Sequence, residues 1–124
     1  MILELSVASV KKLVSVDLKP HSNRDTHGVI ARNVVKYNTH GAMFHQVTGN
    51  SRSKETIARV QSLFPTQHSV DFFFIDGDHV DCAPDFHLYR SLVRPGGVIM
   101  FDDYHDRRVK KSVKTIHTTM CFDC

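Results

Sequence analysis

The chain has 124 residues, with 16 Lys and Arg against 13 Asp and Glu for a net charge of +3, and is 41% hydrophobic and 23% charged. At about 100–200 residues per domain this leaves room for one domain, residues 1–124, and the hydrophobic balance excludes a disordered chain. A charge of +3 does not call for nucleic acid, because a binding footprint needs clustered charge rather than a small average excess.

The opening MILELSVASVKK lacks the basic lead and apolar core of a signal peptide, and no run reaches the roughly 18 apolar residues of a spanning helix. A cytoplasmic protein with no membrane partner is expected. Residues 2–10 read as the tail of a helix, with Leu3, Val7 and Val10 on one face. A strand there, parallel to the next one, would leave too short a crossover. Leu13 to Val16 is the first apolar run, read as a strand. Val29, Ile30, Val34 and Val35 mark a helix, and Met43 to Val47 a partly alternating strand. Ile57, Val60, Leu63 and Phe64 recur at helical spacing after two candidate caps, Ser51 and Ser53. Phe72 to Ile75 is a second continuous apolar run. Phe86, Tyr89, Leu92 and Val93 predict a helix capped by Asp81, with Pro84 in its first turn and Arg94-Pro95-Gly96-Gly97 as its stop. Val98 to Phe101 is a further strand. A last helix near Asp106 to His117 places Val109, Val113 and Ile116 on one side and a basic stripe from Arg107 to Lys114, expected to be a solvated face, elsewhere. Cys121 and Cys124 have CxxC spacing at the chain end, without a second pair to complete a zinc site, and with Cys82 they make no disulfide framework.

Strands alternating with helices predict an α/β fold with a doubly wound, mostly parallel sheet. Continuous apolarity predicts strands covered on both faces. In such folds ligands gather at the carboxyl ends of strands. The residues there are Asp17, Gly49-Asn50-Ser51, Asp76-Gly77-Asp78-His79 and Asp102-Asp103-Tyr104. Asp76, Asp102 and Asp103 would supply oxygen donors suited to a hard divalent cation such as Mg²⁺.

Residues 70–106, VDFFFIDGDHVDCAPDFHLYRSLVRPGGVIMFDDYHD, carry an apolar strand ending in IDGDH, a helix, an RPGG turn and a strand ending in an acidic pair. This pattern resembles the class I S-adenosylmethionine-dependent methyltransferases, most closely the metal-dependent O-methyltransferases. KKLVSVD at residues 11–17 is similar to the family's second strand with its terminal acid, and Val47 to Ser51 to the end of its third. The resemblance implies Asp76, Asp102 and Asp103 as metal ligands and His79 as the base that takes a hydroxyl proton. It further implies Asp17 on the ribose hydroxyls of S-adenosylmethionine, Gly49, Asn50 and Ser51 beside the adenine, and Asp76 also facing the cofactor. The substrate implied is a small hydroxylated acceptor, and nucleic acid is not an expected partner.

The sequence departs from that family in lacking a glycine-rich loop before Asp17 and strands after the last helix, so a truncated domain with an open sheet edge, prone to self-association, is expected. Two alternatives stand beside it. A catalytically degenerate remnant would act as a binding module. A haloacid-dehalogenase-type phosphohydrolase would use Asp76 as nucleophile and Asp78 as acid/base, but only 25 residues separate Asp78 from Asp103, too few for its intervening motifs.

Overall fold

The computed structural model describes residues 10–18, 26–64 and 66–120. The chain divides into two compact units, Met1–Leu63 and Phe64–Cys124. The helix expected over residues 2–10 lies, but for Val10, outside the described residues, as do Cys121 and Cys124.

The first unit holds β1 (Lys12–Asp17), α1 (Thr26–Tyr37), β2 (Met43–Thr48) and α2 (Lys54–Leu63). β1 and β2 pair in parallel, from Lys12 opposite Met43 to Asp17 opposite Thr48. Helix α1 therefore lies in a βαβ crossover, the connection a parallel pair requires. Asn38 shapes the return into β2, its side chain donating to the Ala42 carbonyl at 2.7 Å and accepting from the Ala42 N–H at 2.8 Å. Ser53 caps α2, accepting from the Thr56 N–H at 3.2 Å, so of the two candidate serines the nearer one serves. Ile30, Val47 and Val60 are buried, with Val47 only 1% exposed. Val35, by contrast, is 86% exposed, so the apolar run of α1 is wider than the stripe it buries.

The second unit holds β3 (Val70–Ile75), α3 (Ala83–Tyr89), a 3-10 turn (Arg90–Leu92), β4 (Val93–Phe101) and α4 (Arg107–Met120). β3 and β4 are again parallel, with Phe72 opposite Val98 and Ile75 opposite Phe101. Period-two geometry sends alternate residues to opposite faces. Phe73, Ile75, Ile99 and Phe101 pack with Cys82 and Phe86 and with Val109, Val113 and Ile116 of α4. Phe72, Phe74, Val98 and Met100 occupy the other face and are 42–52% exposed. The expectation of strands buried on both faces is thus corrected: the apolar run is continuous, but helices cover one side of it.

The Arg94-Pro95-Gly96-Gly97 segment is a second correction, since it belongs to β4 rather than to a helix stop. Helix α3 ends at Tyr89, the chain passes through the 3-10 turn Arg90–Leu92, and it is extended by Val93, at ψ 130°. A register shift between Val70 and Phe72 absorbs the extra residues of this start. Arg94 clamps the irregularity, its Nε 2.6 Å from Asp71 Oδ1. Gly97 is required there, as a Cβ would stand 2.7 Å from the Val93 side chain and 3.1 Å from the Asp71 carbonyl.

Hydrogen bonding groups the described strands into these two parallel pairs, which are the βαβ building blocks of the expected fold class; a single doubly wound sheet is not formed by the described pairing. No helix among the described residues is long and apolar enough to cross a membrane.

Candidate active site

In the first unit the strand ends are held together by backbone. The Gly49 N–H donates to the Asp17 carbonyl at 2.8 Å, continuing the ladder one step beyond β1 and β2. The Asp17 side chain is exposed at this rim. Gly49 meets the α2 N-terminus so closely that a Cβ there would collide with the buried Thr56 hydroxyl. Asn50 shapes the turn that follows, accepting from the Arg52 N–H at 2.9 Å, while its carbonyl accepts from Ser53. An exposed carboxylate beside a tight glycine turn suits a polyhydroxylated ligand such as a ribose, since carboxylate oxygens accept from adjacent hydroxyls.

In the second unit the Asp102 N–H donates to the Ile75 carbonyl at 3.0 Å, which sets Asp102 beside the carboxyl end of β3, where Asp76 begins the next loop. Burial first, and the neighbouring Asp102 charge second, push the Asp76 carboxyl above the usual range. The Asp102 side chain accepts from the Asp103 N–H at 2.8 Å. Asp103 adopts the left-handed conformation at φ 50°, a backbone state that aspartate tolerates better than most residues. Its Oδ2 lies 3.1 Å from His79 Nδ1, and its Oδ1 is 3.8 Å from His105 Nδ1. Asp76, Gly77, Asp78, His79, Cys82, Asp102 and Asp103 surround a small pocket of about 10 Å³, room for roughly one water.

The structure thus brings Asp76, His79, Asp102 and Asp103 to one rim, as the sequence predicted, but with different partnerships. Among the described residues no group of three or more His, Cys, Asp or Glu is arranged to hold a metal ion. The expected Mg²⁺ set of Asp76, Asp102 and Asp103 therefore has no support in this arrangement. Asp103, at a left-handed backbone position, sets its carboxylate against His79, while burial and the Asp102 charge hold the Asp76 carboxyl above its usual range. Asp78, the acid/base of the phosphohydrolase alternative, accepts from the Val80 N–H at 2.8 Å in a local turn. Asp106 caps the last helix, accepting from the Arg108 N–H at 2.8 Å. Asp81 accepts from the Ala83 N–H at 3.1 Å and from the Ser112 hydroxyl at 3.1 Å, joining the α3 start to α4. Sequence reasoning missed Asp103 as the partner of His79, and the signal that finds it, a positive φ, is invisible in composition.

The raised Asp76 carboxyl predicts a stability effect. An acid whose folded-state pKa exceeds its unfolded one contributes stability that is fully present below the unfolded pKa and is lost as pH rises through the folded one. Wherever it is ionised, Asp76 is therefore a burden. Asp76→Asn should flatten the fall in stability as pH rises above the usual aspartate range, and so raise the thermal midpoint on the alkaline side of that fall. An unchanged or lowered midpoint in the variant would contradict this.

A family model described as a methyltransferase domain matches residues 1–104. An uncharacterized protein of Acanthamoeba polyphaga mimivirus is 34% identical over 101 residues, which are 80% of this chain and 43% of that protein. The chain thus spans less than half the length of that curated relative. No solved structure matches the chain. With strand-end acids, parallel βαβ units and a family match over most of its length, the chain belongs to the methyltransferase domain family.

Proposed function

We propose that this chain is an S-adenosylmethionine-dependent methyltransferase acting on the hydroxyl of a small acceptor. The family match supports the reaction class, and the His79–Asp103 pair at 3.1 Å carries the chemistry. A carboxylate on Nδ1 holds that nitrogen as the donor, leaving Nε2 free to take a proton. A histidine so oriented can hold the proton that leaves an acceptor hydroxyl, and Asp103 then stabilises the imidazolium. The cofactor, when bound, supplies an electrophilic methyl group on a sulfonium. Asp17 would hold its ribose hydroxyls, and Gly49, Asn50 and Ser51 would lie by its adenine. Asp76, Asp102 and Asp103 are assigned no metal.

Calorimetric titration of S-adenosylhomocysteine into the full chain tests the cofactor half of this reading. Saturable binding is expected, weakened roughly 10- to 100-fold in Asp17→Ala, because hydrogen bonds to a charged acceptor contribute about 1.5–3 kcal/mol. No binding by a folded chain would overturn the proposal and favour the degenerate remnant.

A further inference from the structure

Five of the sixteen Lys and Arg lie within residues 107–114, and the sequence from Arg107 to Met120 contains no acid. The helix distributes them unequally. Arg108 turns back to the cap, its guanidinium 2.8 Å from Asp106 Oδ2. Arg107, Lys110, Lys111 and Lys114 follow the i, i+3, i+4, i+7 spacing of one helical face, and with Thr115 and Thr118 they line an open groove of about 550 Å³. Among the described residues, no acidic side chain pairs with any of these four cations. The net charge is small for the whole chain, yet on this face it is a stripe.

Two further observations narrow the partner. Tyr104, in the loop that leads into α4, is 48% exposed, and the Lys110 ammonium lies 5.8 Å from its ring centroid. A cationic track ending at an accessible aromatic ring is the arrangement that holds a single nucleic-acid strand, phosphates on the cations and a base stacked on the ring. The apolar side of α4 is committed elsewhere, with Val109 3% and Ile116 6% exposed in the core. An interfacial membrane helix needs that side for lipid. An acidic peptide would satisfy the charge but leave Tyr104 without a role. From Arg107 to Lys114 the helix rises about 10 Å, which places the four cations along one continuous track.

We propose that the Arg107–Lys114 face of α4, together with Tyr104, is a docking surface for a single-stranded nucleic acid. The surface stands apart from the methyl-transfer reading and does not depend on it.

The test is fluorescence anisotropy of the full chain with a fluorescein-labelled 12-nucleotide oligouridylate, across a series of salt concentrations. Three or four phosphate contacts predict a slope of log K against log salt of about −2 to −3, at about −0.7 per contact for a single strand. Lys111→Gln/Lys114→Gln, both exposed and so compatible with an intact fold, should reduce the slope by about 1.4. Tyr104→Ala should weaken binding about tenfold with the slope unchanged, and Tyr104→Phe should restore it. The proposal is overturned if the folded chain does not bind at low salt, or if the double variant binds as the parent does. It is equally overturned if polyglutamate or phosphatidylserine vesicles displace the oligonucleotide at equal charge concentration, which would identify an unspecific anion surface.

Discussion

His79→Gln is expected to lower methyl transfer by about 10²- to 10⁴-fold, the usual contribution of a positioned general base. The side chain of His79 is 48% exposed and that of Asp103 32% exposed, so solvent reaches the pair and the substitution leaves no buried group orphaned. Stability should consequently stay within about 0.5 kcal/mol of the parent, as for other surface changes. Asp103→Asn should act in the same direction by a smaller factor, since the imidazole remains but loses the charge that orients it. Single-turnover rates with S-adenosylmethionine at saturating acceptor, alongside S-adenosylhomocysteine titrations, separate the chemical step from cofactor binding. A parent-like rate in His79→Gln would remove His79 as the base, whereas a lost rate with lost cofactor affinity would place its role in binding.

Phe86→Ala should destabilise the chain by about 3–5 kcal/mol, the range for deleting a large aromatic side chain from a core. Phe86 is 4% exposed and shares the core of the second unit with Ile75, Cys82, Val109 and Ile116. Its ring lies 6.1 Å from that of Phe101 and 5.2 Å from that of His87, and the Arg90 guanidinium sits 5.8 Å from its centroid. Few neighbours in so small a core can collapse into the space it would leave. The loss would be a large share of the about 5–15 kcal/mol that holds an ordinary domain together. Urea unfolding of Phe86→Ala and Phe86→Leu measures it, with the leucine expected to recover most of the difference. A cost below about 1 kcal/mol for the alanine would mean that the ring is not the centre of this core.

The two experiments bear on each other. Phe86, on α3, packs against Phe101 at the end of β4, and the loops that follow β3 and β4 carry His79 and Asp103. A core substitution that loosens these strand ends should depress transfer as well as stability, while His79→Gln should depress transfer alone.

Much of the architecture was legible in the residues. Every strand expected from an apolar run is present, because short runs of Val, Ile and Phe bounded by turn formers have few other stable uses. Among the described residues helix positions followed from apolar spacing except at the end of α3, where Leu92 lies in a 3-10 turn and Val93 in β4, and Ser53 followed from capping chemistry. The gathering of Asp76, His79, Asp102 and Asp103 at one rim followed from parallel pairing, which places consecutive strand ends on the same side.

What the sequence alone determined, then, is which segments form strands and helices, which ends carry acids, and which family pattern they match. Those features are set by local propensity and by the two periodicities of the backbone. Only the tertiary structure decided which face of β3 and β4 is covered, since Phe72 and Phe73 are equally apolar and helix packing alone distinguishes them. It also decided that the proline-glycine segment joins a strand, through a register shift that depends on pairing with Asp71 and its neighbours. The same holds for the carboxylates. Three acids in a row of strand ends read as a cation site, but Asp103, in a left-handed backbone conformation, sets its carboxylate against His79, and burial with the charge of Asp102 pushes the Asp76 carboxyl up. Charge and composition are properties of the chain, whereas a carboxylate's partner is fixed by backbone angles and distances that exist only after folding.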